Sequence, residues 1–271
     1  MVPSRFFFMV AFVGVSSVLP ACEGNHDAAS PPSTGATTGR LQEIANRGEL
    51  RVCSTGDYRP FTFYEAGTST WSGIDVDMAD DLARRLGVRR TMVHTTWKNL
   101  VQDFTSKCDI AVGGISITLE RSKLAFFSDA YLDDGKVPIT RCENESRFHT
   151  IEQINRPEVK VIVNPGGTNE QFVRAHLASA NVIVHPDNNT IHHEIAAGRA
   201  DLMITDSAEA QWQAKKNPEL CAVNPQKPFT FSQKAYLLPL GDTAFQHYVN
   251  QWLNLTRHDG TYERIAKPWL G

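Results

Sequence analysis

From Leu50 onward the chain alternates two kinds of hydrophobic pattern. Short β-branched runs predict strands at 50–55 (LRVCST), 90–95 (RTMVHT) and 109–116 (DIAVGGIS). Between them, GIDVDMADDLARRLG (73–87) sets Ile74, Met78, Ala79, Leu82 and Leu86 at helical spacing and stops on Gly87, and NLVQDFTS predicts a shorter helix. The alternation returns with strands at 159–165, 181–186 and 201–206, and with helices from Asn169 to Ser179 and over TIHHEIAAG.

This order argues for an α/β fold of two units, each a mostly parallel sheet with crossover helices. DAYLDDGKVPITRC (129–142) separates the units and lacks helical period. A second extended run, QKAYLLP (233–239), precedes a last helical stretch containing FQHYVNQWLNLTR. Two extended crossings predict a pair of hinge strands, with the C-terminal helix returning to the first unit. Lobe 1 is then 41–137 with 239–271, and lobe 2 is 138–238. A cleft follows, and ligands of open α/β sheets sit at the carboxyl ends of the strands.

Composition narrows the function. A formal net charge of -3 and 41% hydrophobic residues carry no basic or acidic excess pointing to nucleic acid. The N-terminus has an early Arg5, an apolar run from Phe6 to Val15 and small residues before Cys22, the layout of a secretory signal over 1–22. It is too short for a retained spanning helix. LPAC at 19–22 also resembles a bacterial lipoprotein cleavage box, in which Cys22 would carry a lipid anchor, whereas plain cleavage nearby would release a soluble protein. Both readings stand, and both put the folded part outside the cytoplasm. Residues 23–40, rich in Ser, Thr, Gly, Pro and Ala, read as a flexible linker.

Setting Cys22 aside, Cys53, Cys108, Cys142 and Cys221 remain. In an oxidising compartment they invite pairing, with three connectivities open, of which Cys142 with Cys221 is favoured. No C-x-x-C spacing occurs and the nine histidines are scattered, so neither a metal nor a cofactor is expected. Oligomeric state is unreadable, because no heptad seam appears.

GDYRPFTF (56–63), GIDVDMADDLARRLG, ISITLERSKLAFFSDAY (115–131), GGTNE (166–170) and GRADLMITD (198–206) resemble the solute-binding proteins of polar amino-acid transporters. The resemblance runs from about residue 41 to the C-terminus and implies a two-lobed type II periplasmic-binding fold. TGDY (55–58), TTWKNL (95–100), NPGGTNE (164–170), HPDNNTI (185–191) and PELCAV (218–223) resemble more closely a branch of periplasmic enzymes, the cyclohexadienyl dehydratases. That resemblance implies conversion of prephenate to phenylpyruvate and of arogenate to phenylalanine. An amino-acid receptor of an ABC transporter is the alternative.

The site residues follow partly from the resemblance. Arg121 matches the arginine that grips a ligand's α-carboxylate, and Asp206 matches the acid that takes its α-amino group. Ser116 and Thr118 stand at a strand-to-helix junction, where hydroxyls and free N–H groups attract anions or simply cap. Thr168 would add its amide. Trp97 and Tyr58 offer walls for a six-membered ring, or core packing. Lys98 is a candidate for the ring carboxylate, or a solvated lysine; Asn164 and Asn188 are candidates for orienting the substrate by amide hydrogen bonds.

Glu170 has two readings. With Gly167 as N-cap it is the third helical residue of a capping box. The reaction, however, needs a proton on the departing C4 hydroxyl, and a general acid there contributes about 10² to 10⁴-fold. Glu170 is therefore the expected proton donor, its pKa raised in the closed, occupied cleft against the pull of the helix N-terminus.

Overall fold

The computed structural model describes residues 39–271 together with Met9 and Ala11. The leader, Cys22 and nearly all of the linker fall outside the described residues.

Two five-stranded sheets organise the chain. In the first, Glu49–Ser54 lies between Arg89–His94 and Ile110–Ala111, all parallel, and Leu237–Leu238 then Phe126–Phe127 complete it antiparallel. In the second, Lys160–Val163 lies between Asn181–Val184 and Leu202–Asp206, all parallel, and Lys136–Arg141 then Leu220–Ala222 complete it antiparallel. In each sheet one strand, Leu237–Leu238 or Lys136–Arg141, runs against the other four, so the sheets are mixed but mostly parallel in direction. The crossings themselves, Leu132–Asp134 and Ser232–Lys234, pair as a two-stranded antiparallel ribbon. This is the two-lobed architecture with paired hinge strands.

Helix Ile74–Leu86 follows its pattern. Ile74, Met78, Ala79 and Leu82 are buried against Leu50, Val52 and Ile110, and Gly87 ends the helix in the left-handed region at φ 70°. Each fully buried side chain of this size contributes about 1.5–3 kcal/mol. The helix Thr243–His258 buries Phe245, Val249, Trp252 and Leu253 in that same cluster. A further helix, Thr261–Leu270, follows although Pro268 lies inside it.

Several expected elements come out shorter. The strand expected over 109–116 is only Ile110–Ala111, because Gly113 and Gly114 take φ of 125° and 64° and turn the chain out of the sheet. The helix expected to reach Ser179 runs Thr168–His176, and the one over 190–198 runs Ile191–Ala196. An antiparallel sheet of Asp57–Tyr58, Thr62–Glu65 and Thr70–Ser72 has no counterpart in the sequence reading. Disulfides join Cys53 to Cys108 and Cys142 to Cys221.

Candidate active site

The carboxyl ends of the parallel strands face each other across the cleft. A small cavity of about 20 Å³ there is lined by Tyr58, Trp97, Ser116 and Arg121 from the first lobe and by Asn164, Thr168, Asn188 and Asp206 from the second, together with Gly114, Gly167 and Asn169. Eight of the expected site residues therefore converge. The lobes touch: Asn188 Nδ2 donates to the Asp57 carbonyl at 2.8 Å and Tyr58 OH donates to Asp206 Oδ2 at 2.5 Å.

Backbone geometry makes this approach feasible. A Cβ on Gly114 would stand 2.4 Å from the Phe61 ring, and one on Gly166 would stand 2.8 Å from the Lys98 backbone nitrogen. Only glycine, which also tolerates φ of 64° and 87° there, fits both places. The Gly113–Gly114 turn is fixed from below by Asp75, whose Oδ2 accepts both amides at 3.0 and 2.7 Å and Tyr131 OH at 2.6 Å. Burial pushes the Asp75 carboxyl up to about 6, against these hydrogen bonds.

Tyr58 and Trp97 meet edge to face, ring centroids 5.4 Å apart, and Trp97 Nε1 donates to Asp57 Oδ1 at 3.0 Å. Arg121 Nη1 donates to the Ser116 carbonyl at 2.9 Å, and Thr118 caps the short helix by accepting the Arg121 amide at 3.2 Å. Thr118 is not among the lining residues, so it acts on the cavity through Arg121. Asn164 and Asn188 are buried, and the Oδ1 of each has no hydrogen-bond partner. Two unpaired amide oxygens at a cavity wall call for donors from a ligand.

Asp206 is the electrostatic centre. Its Oδ1 accepts Lys136 Nζ at 2.8 Å and its Oδ2 accepts Lys234 Nζ at 2.6 Å, with all three residues buried. Burial alone would raise its pKa, but the two lysines hold it far below the usual carboxylate range. Burial pulls the Lys136 ammonium down, opposed by Asp206. Lys136 also donates to Thr168 Oγ1 at 3.0 Å and Asn169 Oδ1 at 2.5 Å, and Lys234 to Ser116 Oγ at 2.9 Å.

Both lysines were missed in the sequence. The available signal was position: each lies at a crossing, in DDGKVP or SQKAY, and Lys136 pairs in register with Asp206 across the sheet. Glu209 was missed too. It is buried one turn into helix Ser207–Lys216 and accepts a hydrogen bond from Thr205 Oγ1, which in turn accepts Asn169 Nδ2 at 3.1 Å. Burial, with Asp206 and Asp57 nearby, pushes its carboxyl up to about 8.

Two expected residues are not brought in. Lys98 is exposed and does not line the cavity. Glu170 is half-buried and does not line the cavity. Its Oε2 accepts the Gly166 amide at 2.7 Å and its Oε1 accepts Arg174 Nη2 at 2.6 Å. These partners, the Gly166 amide first, lower its pKa here, whereas the rise expected of it belongs to the closed, occupied cleft. The physical reason is the helix start itself: a carboxylate in the first turn finds free amides and stays ionised. Among the described residues no group of three or more His, Cys, Asp or Glu is placed to hold a metal ion.

Comparison with known proteins agrees with this frame. The family described as bacterial extracellular solute-binding proteins, family 3, matches residues 50–271. A cyclohexadienyl dehydratase of Pseudomonas aeruginosa is 52% identical over 239 residues, covering 88% of each chain. The L-cystine-binding protein TcyJ of Escherichia coli is 27% identical, over 87% of this chain and 88% of its own. Among solved structures, an ancestral amino acid-binding protein described as a precursor of cyclohexadienyl dehydratase matches with TM-score 0.79 and 35% identity, covering 85% of this chain and 99% of that one. An ancestral cyclohexadienyl dehydratase matches with TM-score 0.54 and 50% identity, over 86% and 96%.

Proposed function

The chain belongs to the bacterial extracellular solute-binding proteins, family 3, and we propose that on this binding-protein frame it is an enzyme, a cyclohexadienyl dehydratase. This carbon–oxygen lyase takes prephenate to phenylpyruvate and arogenate to phenylalanine. The C1 carboxylate leaves as carbon dioxide and its bonding electrons complete the aromatic ring. The C4 hydroxyl departs with an added proton as water. Electrons balance within the substrate, so no redox partner enters.

One observation carries the reading: Arg121, Ser116, Thr168, Asn164, Asn188 and Asp206 line one cavity between the lobes. We assign protonation of the departing hydroxyl to Glu170, in the first turn of the helix that starts at Thr168 beside that cavity, its carboxyl taking up a proton in the closed, occupied cleft, for a contribution of about 10² to 10⁴-fold. Arg121, Ser116 and the Thr168 helix start receive the side-chain carboxylate. Tyr58 and Trp97 flank the ring, and the unpaired oxygens of Asn164 and Asn188 accept from the C4 hydroxyl. Lys136 and Lys234 hold the wall in place through Asp206.

The protein works in the periplasm after removal of the 1–22 leader; the mass of the mature chain distinguishes acylation of Cys22 from release as a soluble protein. The activity test mixes purified mature protein with prephenate and follows phenylpyruvate absorbance, beside Glu170→Gln. Phenylpyruvate from the wild type and a loss of about 10²-fold or more in the variant support the reading. No product, together with tight calorimetric binding of a free amino acid, would make the chain a transport receptor instead.

A further inference from the structure

We propose that the cleft selects a 2-keto acid side chain over its 2-ammonium counterpart, so that prephenate is the favoured substrate and arogenate the disfavoured one. This rests on the dehydratase reading. Asp206 is the one acidic residue among those described as lining the cavity, and an α-ammonium entering there would need one of its oxygens. Neither is free. Oδ1 is held by Lys136 Nζ at 2.8 Å, and Oδ2 by Lys234 Nζ at 2.6 Å and Tyr58 OH at 2.5 Å.

Displacing either lysine would strand a buried cation: Lys136 is 4% and Lys234 0% exposed. Without displacement, the incoming ammonium would face two fixed ammoniums and the Arg121 guanidinium as like charges in a dry site. The other nearby acids give no relief. Asp134 lies 3.9 Å from Lys234 and Asp57 accepts from Trp97 Nε1, and neither lines the cavity. A keto oxygen brings no charge and only accepts hydrogen bonds, so it sits among these donors without such a conflict. The lysines thus occupy the carboxylate that would otherwise recognise an amino group, and Lys234 becomes a specificity-determining residue.

The test is a ratio, kcat/KM for prephenate over kcat/KM for arogenate, measured on one preparation of the mature chain so that the active fraction cancels. A ratio of about tenfold or more is expected; a ratio near or below one overturns the inference. Lys234→Met removes the cation from Asp206 Oδ2, leaving it the neutral Tyr58 hydroxyl, and is expected to shift the ratio toward arogenate by about tenfold, an effect that a merely structural lysine would not produce; an unchanged ratio overturns the assigned role. A second measurement needs no variant: calorimetry of phenylpyruvate against phenylalanine on the wild type. Binding of the keto acid without the amino acid supports the proposal, and the reverse overturns it. If neither cyclohexadiene is turned over, the dehydratase reading fails, and the calorimetric comparison still decides this one.

Discussion

Glu170 Oε2 accepts the Gly166 amide at 2.7 Å, closing the turn that starts its own helix. A carboxylate so placed caps the helix in this structure. Glu170→Gln is expected to lower kcat for prephenate by about 10²-fold or more, because it removes the assigned proton donor. Stability should fall by about 1 kcal/mol, the usual cost of a lost cap. Its folded pKa is lowered, so the contribution is present above the unfolded value and disappears as pH drops through the folded one. Urea melts at neutral and acid pH check the stability statements; a kcat within about threefold of the wild type would take the acid role from Glu170.

Glu209 titrates the other way. With the folded carboxyl pushed up to about 8 from an ordinary 4.5, folded Glu209 keeps a proton that the unfolded chain releases, so its contribution to stability is fully present below the unfolded pKa and is lost as pH rises through the folded one. In Glu209→Gln that slope should vanish in denaturant melts across the range. An unchanged slope would assign it to another group.

The contrast between these two acids also explains what the sequence could disclose. Helical period located Ile74, Met78 and Leu82 on a core face, motif resemblance located Arg121 and Asp206, and amide chemistry suggested Asn164 and Asn188; all four of the latter reach the cavity. A raised carboxyl pKa comes from burial, which is a property of tertiary packing. Glu209 follows the motif GRADLMITD by only three residues and carries no local mark of its desolvation. Lys136 and Lys234 are separated by 98 positions and meet only because the hinge strands pair. Glu170 stands next to a Gly-Gly turn, a strong local signal for a cap, and its carboxylate closes that turn.

Each lobe carries its own cross-link. Cys53–Cys108 spans 55 residues and ties the first sheet to the segment after its short helix, and Cys142–Cys221 spans 79 and joins two strand ends of the second. Loops of this length remove denatured-state entropy, and loss of a native disulfide costs about 2–5 kcal/mol. Dithiothreitol should therefore lower Tm markedly, and Cys→Ser at either pair should do so singly. Equal Tm with and without reductant would exclude both from a stabilising role.

His192 is 4% exposed and neither ring nitrogen has a hydrogen-bond partner. Burial, aided by the Arg59 guanidinium, pulls its pKa down to about 3 from 6.5. Between those values the unfolded chain binds a proton that the folded chain refuses, so stability falls as pH drops from about 6.5 toward 3. Asp75 and Glu209, with raised pKa values, contribute slopes of the opposite sign, and the net curve combines them. The histidine's share is isolated by His192→Phe, which removes the titrating group and two unpaired polar atoms while retaining a planar ring. The variant is expected to gain about 1 kcal/mol at pH 5, where the histidine's penalty operates, and less at pH 8. Denaturant melts at the two pH values read the difference directly. A gain that is the same at both would mean that packing, and not protonation, separates the two side chains.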